Sequence, residues 1–225
     1  KTWTAEEVRI VLAHVATDRR WHAVYLIALT TGCRPGELVA IKWTDLDLDA
    51  RTMAIRRTMT RAADGKPTVG TSTKTRRDRT VSLSLATVAA LEAWRSQQDA
   101  DRLMAGKRWD EQDYVFTGPR GEPMSTWKWQ NHHRRIVKAT GVTAISLHGC
   151  RHTNATLSLA DGQHPSIVQK RLGHKSAAIT LDTYSHVFPS QQQEAVDDLE
   201  SRIFGKKKPA SRKRFSQPAT KSTPD

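Results

Sequence analysis

The chain has 225 residues, 37% of them hydrophobic, enough for one large domain with its own core, so wholesale disorder is excluded. Lysine and arginine number 36 against 23 acidic residues, a formal charge of +13 that favours a polyanion as partner. Two distant cysteines, Cys33 and Cys150, exclude a disulfide framework and suggest a reducing, intracellular setting, and no window approaches the ~18 apolar residues of a membrane span.

Lys1 stands where an initiator Met is expected and no signal peptide follows, which reads as a piece of a longer protein. Thr4-Ala5-Glu6-Glu7 ahead of Val8, Val11, Leu12 and Val15 predicts a capping box and an amphipathic helix. A more buried helix is expected over Ala23 to Thr30, stopping at Thr31-Gly32, with Pro35 opening a third over Gly36 to Lys42. The pattern then changes. Asp47-Leu48-Asp49 is read as a turn, Thr52 to Thr60 as one alternating strand, Ala63 to Pro67 as a second turn and Arg79 to Leu83 as a further strand.

Helices resume at Leu85 to Asp101, and Asp113 to Pro123 is expected to be a loop around Tyr114-Val115-Phe116. Further helices are predicted at Trp127–Ala139, Cys150–Ala160, Pro165–Leu172 and Ala177–Tyr184, with a last one marked by Ala195, Val196, Leu199 and Ile203. The fold class expected is mainly α with a small antiparallel β-sheet near the N-terminal third, that is, α+β. Residues 205–225 carry Lys206, Lys207, Lys208, Arg212, Lys213, Arg214 and Lys221 against Asp225, a net +6 with the composition of a disordered tail. The other 204 residues still hold +7, so the body itself is basic.

Six polar residues stand where the coarse structure changes direction: Arg34, Lys74, His148, Arg151, His174 and Tyr184. Each alone has an ordinary explanation, such as a solvated charge or a half-buried helical tyrosine. Their contexts are more specific. Thr30-Thr31-Gly32-Cys33-Arg34-Pro35-Gly36-Glu37-Leu38 sets an arginine between two helices with a glutamate three residues on. Ser146-Leu147-His148-Gly149-Cys150-Arg151-His152-Thr153 puts His148 and Arg151 on one face of a beginning helix. Leu172-Gly173-His174 ends a helix, Thr183-Tyr184-Ser185-His186 follows, and Ser72-Thr73-Lys74-Thr75 precedes the Arg79 strand.

His148 and His152, at i and i+4, have a spacing that could hold a metal, but no Cys-x-x-Cys or His-Glu-x-x-His pattern supplies further ligands, so no metal is assigned. Nor is there a P-loop or an acidic cluster for Mg²⁺, and no cofactor is expected. Trp127, Lys128, Trp129, His132, His133, Arg134 and Arg135 form a basic, aromatic-rich stretch with two open readings: a helix of core tryptophans with a solvated face, or a helix lying against DNA. Cys33 and Cys150 read as buried packing residues and His152 as a support for its helix.

In order, these segments resemble the tyrosine recombinase, or phage integrase, family over roughly residues 1–204, a catalytic domain with residues 185–204 as a C-terminal segment that packs on its own subunit or on a neighbour. The resemblance implies a site-specific recombinase or integrase that needs no cofactor and acts on double-stranded DNA at specific sites as a homotetramer, with a solution monomer also compatible. It implies a cytoplasmic protein, bacterial and nucleoid-associated or phage-encoded in a bacterial host, that also has an N-terminal DNA-binding domain. It assigns Tyr184 as nucleophile, Arg34 and Arg151 as the phosphate-gripping arginines, His148 as general base, Lys74 as general acid and His174 as a donor to a phosphate oxygen. Glu37 supports the site.

The residue types suit that chemistry. Guanidinium forks grip nonbridging phosphate oxygens with several directed donors. A phenol with a pKa of about 10 needs its proton taken as it attacks. Arg76, Arg77 and Arg79 crowd the Lys74 segment and are, with Lys128, Arg134 and Arg135, the expected DNA-backbone contacts. A type IB topoisomerase, or a DNA-binding protein without catalysis, are the other classes compatible with the composition.

Overall fold

The computed structural model describes residues 1–61, 67–71, 78–174, 176, 196, 199–201 and 203–205. The chain divides into two compact units, Lys1–Val187 and Phe188–Asp225. In the second, the described residues Val196, Leu199, Ile203 and Phe204 are helical, with exposed apolar side chains. The predicted helix over Ala177–Tyr184 and the basic tail beyond Gly205 lie outside the described residues.

Among the described residues the first unit has seven α-helices: α1 (Ala5–Val15), α2 (Arg19–Thr31), α3 (Pro35–Leu38), α4 (Leu85–Ala105), α5 (Thr126–Thr140), α6 (Leu147–Ala160) and α7 (Pro165–Leu172). Local chemistry sets their starts. Thr4 accepts from the Glu7 amide while the Glu7 carboxylate accepts from the Thr4 amide, the expected capping box. Asp18, Ser84, Ser125 and Ser146 cap α2, α4, α5 and α6 in the same side-chain-to-amide manner. Helix α2 thus begins at Arg19, four residues before the sequence expectation, because Asp18 offers an oxygen to the Trp21 amide. It is the central helix, with Ala23 to Leu29 all buried.

Among the described residues five strands lie between α3 and α4: β1 (Leu46–Asp47), β2 (Thr52–Ile55), β3 (Arg57–Arg61), β4 (Pro67–Thr71) and β5 (Arg79–Ser82). They form two antiparallel sheets, β1-β2-β5 and β3-β4. The mainly helical class with a small antiparallel β region is as expected. Its details differ from the sequence reading at several further places.

The single strand expected over Thr52–Thr60 breaks at Arg56, because Ile55 pairs with Arg79 whereas Arg57 pairs with Thr71. Pro67, expected in a turn, opens β4 opposite Arg61. Asp47 ends a short strand before its carboxylate closes a turn by accepting from the Ala50 amide. The third helix stops at Leu38 rather than Lys42. There the chain is drawn into extended pairing, with the Val115 amide donating to the Ile41 carbonyl and Lys42 bridging to Tyr114. Among the described residues no helix is long and apolar enough to cross a membrane.

Candidate active site

Arg34 caps the short helix α3 and stands at the junction where α2 ends. That ending is fixed by Gly32, whose φ of +65° is left-handed and whose absent Cβ would lie 2.6 Å from Leu172 Cδ2 and 2.9 Å from Asn154 Oδ1. No other residue fits there, so the chain must turn at this point and deliver Arg34 to the surface of the core.

Glu37, one turn on, is 3% exposed and receives four hydrogen bonds. The Arg34 amide and guanidinium donate at 2.9 Å each. The Arg79 guanidinium donates as a fork, Nη1 to Oε1 at 3.1 Å and Nη2 to Oε2 at 2.6 Å. Burial alone would raise the Glu37 carboxyl. The Arg79 fork and charge, with Arg34 behind it, outweigh that and hold it at about 2.

Arg151 comes to the same place from α6. It is 2% exposed, and its two terminal nitrogens donate to the carbonyls of Gly32 at 2.8 Å and Leu172 at 2.7 Å. One side chain therefore ties the end of α2, just before Arg34, to the end of α7, just before His174. Burial and the neighbouring Arg34 push its pKa down to about 10, still protonated at neutral pH. Its cation also meets the negative end of α7 favourably.

His148 lies in the first turn of α6, one turn before Arg151, on the exposed side of the helix, with its ring 4.9 Å from that of His152 in an edge-to-face arrangement. Its pKa is lowered by burial first, then by His152, Arg151 and Arg34. His174 is pushed to about 4 by burial and then by Arg151 and Arg34. Both rings are thus neutral near pH 7. A neutral imidazole accepts a proton, or donates one hydrogen bond, beside a cluster of fixed cations.

The structure therefore brings together Arg34, Glu37, His148, Arg151 and His174. Lys74, Arg76, Arg77 and Tyr184 lie outside the described residues. The flanks of the Lys74 segment are set by register, Thr71 opposite Arg57 and Arg79 opposite Ile55.

Arg79 differs from its sequence assignment as a DNA contact: its side chain is 14% exposed and turned inward onto Glu37 and the Arg171 carbonyl. Arg134 and Arg135 are exposed on α5, and Lys128 pairs with Glu122 at 3.0 Å. The two readings of α5 divide by residue. Trp129 is fully buried, while Trp127 is 61% exposed. Cys33 and Cys150 are buried, and burial pushes their thiols up to about 11 and about 12, so they pack rather than react. Among the described residues no group of three or more His, Cys, Asp or Glu comes together as a metal site.

Sequence reasoning missed three supports. Asn154 donates to the Leu29 and Thr30 carbonyls, holding the end of α2. Arg171 donates to Ser158 Oγ at 3.0 Å and to the Gln163 side chain, fixing α7 on α6. Asp45 accepts from the Lys42 amide and pairs with Arg56 and Arg57 at the base of β3.

The phage integrase family model matches residues 1–191. A tyrosine recombinase XerC-like protein of Caldanaerobacter subterraneus subsp. tengcongensis is 30% identical over 210 residues, which cover 88% of this chain and 54% of that protein. The ICEBs1 integrase of Bacillus subtilis is 28% identical over 204 residues, 90% of this chain and 55% of its own. Among solved structures, XerA recombinase superposes with a TM-score of 0.68 at 25% identity, covering 88% of this chain and 64% of that one. The Tn1549 transposon integrase in complex with transposon right end DNA gives 0.74 at 19% identity, over 90% and 66% of the two chains, a likeness of fold. The chain spans about half the length of the curated relatives it matches.

Proposed function

The chain belongs to the phage integrase family, and from that premise we propose that it is the catalytic part of a site-specific tyrosine recombinase that cuts and rejoins duplex DNA. The observation that carries this reading is the convergence of two arginines from separate segments, Arg34 and Arg151, beside two histidines kept neutral by burial and by those arginines. A phosphodiester needs such an array. Fixed guanidiniums stabilise the charge that gathers on the nonbridging oxygens as phosphorus becomes five-coordinate, and they need no reorganisation in the transition state.

In the proposed step the Tyr184 phenol oxygen attacks phosphorus and its proton passes to His148. The bond to the 5′ oxygen breaks, and that oxygen takes a proton from Lys74 and leaves as a hydroxyl. A 3′-phosphotyrosyl ester remains. Attack on it by a 5′ hydroxyl from another strand reverses the sequence and expels Tyr184. His174 donates to a phosphate oxygen, and Glu37 holds Arg34 in place.

The XerC-like and integrase relatives support recombination over relaxation of supercoils as the outcome. The Tn1549 integrase solved with transposon DNA supports duplex DNA as the partner. We assign the assembly as a homotetramer on two DNA sites, acting in the cytoplasm of a bacterial host with a DNA-binding domain from the rest of the protein.

The test is incubation of the full-length protein with nicked suicide duplexes carrying candidate core sites. A covalent protein–DNA adduct is expected, abolished by Tyr184→Phe and undiminished by a chelator. A wild type that forms no adduct overturns the reading. Relaxation of supercoiled plasmid without strand exchange between duplexes would assign a topoisomerase instead.

A further inference from the structure

We propose that Arg79 is a positioning residue of the active site, which fastens together three segments that meet there: the Glu37 carboxylate that holds Arg34, the end of α7 that leads to His174, and strand β5, which follows the Lys74 segment. This rests on the recombinase reading above, and it replaces the role that a basic residue in this stretch suggests, contact with DNA phosphate.

The argument begins with donor geometry. A guanidinium offers N–H groups in a rigid planar fork, and Arg79 aims them at two places at once. Its two terminal nitrogens grip both oxygens of Glu37, 42 residues away in sequence. Its Nε donates to the Arg171 carbonyl at 3.0 Å, 92 residues away. The adjoining Leu172 carbonyl is taken by Arg151. Two successive carbonyls at the negative end of α7 are therefore held by two arginines, and His174 follows directly.

The stem of Arg79 is held as closely as its head. Gly173, at a φ of +68°, closes over it so that an added Cβ would lie 3.0 Å from Arg79 Cδ and 3.1 Å from its Nε. A side chain at residue 173 would have to push the arginine stem aside by a few tenths of an ångström. Strand β5 supplies the fixed base: Arg79 pairs opposite Ile55, and Val81, two residues on and hence on the same face, is buried.

Three of its five N–H donors are thus engaged within the protein. Lysine could not replace it, since a single ammonium cannot chelate Glu37 and also reach the Arg171 carbonyl in a second direction. Arg34 and Arg79 share one carboxylate, so loss of the fork frees the group that orients Arg34.

The experiment uses the full-length protein with Arg79→Lys. At saturating nicked suicide duplex, the single-turnover rate of adduct formation should fall about 100-fold, the cost of a small misplacement of reacting groups. DNA affinity and its dependence on salt should stay at wild-type values. Arg79→Lys in a Glu37→Gln background should be little slower than either single variant, because both changes break the same contact. In spectra of the histidine rings, His174 should move in Arg79→Lys while His132 and His133 keep their wild-type positions, which also reports that the variant is folded. Should it fail to fold, Arg79→Gln with Glu37→Gln leaves the buried carboxylate position uncharged and carries the same measurements.

A wild-type cleavage rate in a folded variant overturns the proposal. So does weaker binding with a salt slope lower by about one phosphate contact, the signature of a DNA-contacting arginine. If the wild type itself makes no adduct, the recombinase reading fails, and an unmoved His174 ring in the variant then separately refutes the positioning role.

Discussion

His133 on α5 and His148 on α6 are both lowered in pKa by burial, yet they sit in opposite surroundings. His133 is 1% exposed, with both ring nitrogens taken: one lies 3.0 Å from the Tyr25 hydroxyl, the other 3.0 Å from the Ile145 carbonyl. A carbonyl only accepts, so Nε2 carries the proton and Nδ1 accepts from Tyr25. Trp3 and Trp129 complete an aromatic core around His133. His148 is exposed, on a face where His152, Arg151 and Arg34 add their charge to partial desolvation in lowering its pKa. The same residue type serves as a satisfied strut in one region and as a neutral group facing cations in the other. The difference lies both in what surrounds the ring and in its exposure.

Arg151 joins these two modes in one side chain, so removing it should have the largest effect. Arg151→Ala is expected to abolish adduct formation and also to cost about 3 kcal/mol of stability, since the Gly32 and Leu172 carbonyls lose buried donors. Arg34→Ala should abolish cleavage with little change in melting temperature, because Arg34 is 27% exposed and its removal leaves Glu37 on Arg79. Equal stability losses in the two variants would dissolve the distinction.

The histidines themselves come next. His148→Gln should slow single-turnover cleavage about 100-fold or more while leaving the melting temperature near wild type. His133→Ala should do the reverse. It leaves the Tyr25 hydroxyl and the Ile145 carbonyl unpaired, at a cost of about 2–3 kcal/mol in denaturant unfolding, with unchanged cleavage per folded molecule.

Acidification should then sharpen the contrast within one protein. His132, stacked on Trp21 at 3.7 Å, and His174 are both held at about 4, well below the ordinary histidine value of about 6.5. Between those values the unfolded chain binds more protons than the folded one, so stability is full above pH 6.5 and is lost as pH falls towards 4. Glu37, at about 2 in the fold, has the same sign and extends the loss below pH 4.5. Melting temperatures across pH 4 to 7 should fall with acid. His132→Phe, which keeps the stack on Trp21, should flatten that slope without changing cleavage at pH 7.5.

Much of this was legible in the sequence because the determinants are local. The capping box at Thr4, the break at Gly32-Cys33-Arg34-Pro35 and the one-turn spacing of His148 and Arg151 each depend on a few adjacent residues. What escaped depends on partners far along the chain. No local signal says that Ile55 and Arg57 pair with different strands, so one expected strand became two. The Arg79 fork needs Glu37 and α7 to converge. Even so, a clue was present: the alternation of Arg79, Val81 and Leu83 puts Arg79 on the core face of its strand, where an arginine must find a carboxylate or a carbonyl.

The smallest effects should come from the outer face of α5, which continues the comparison to the surface. Its inner side holds Trp129, His133 and Ile136 in the core, while Trp127, Arg134 and Arg135 are exposed. If that face lies along DNA, Arg134→Ala and Arg135→Ala should each weaken binding a few-fold, uniformly across sequences, and lower the salt slope by about one. Lys128→Ala should do less, because its ammonium is already paired with Glu122 at 3.0 Å and that pair must open to reach a phosphate. None of the three should shift the melting temperature, since exposed charges contribute little to folding. Unchanged affinity and slope in all three would mark the outer face as merely solvated, leaving α5 a core helix like the histidine it buries.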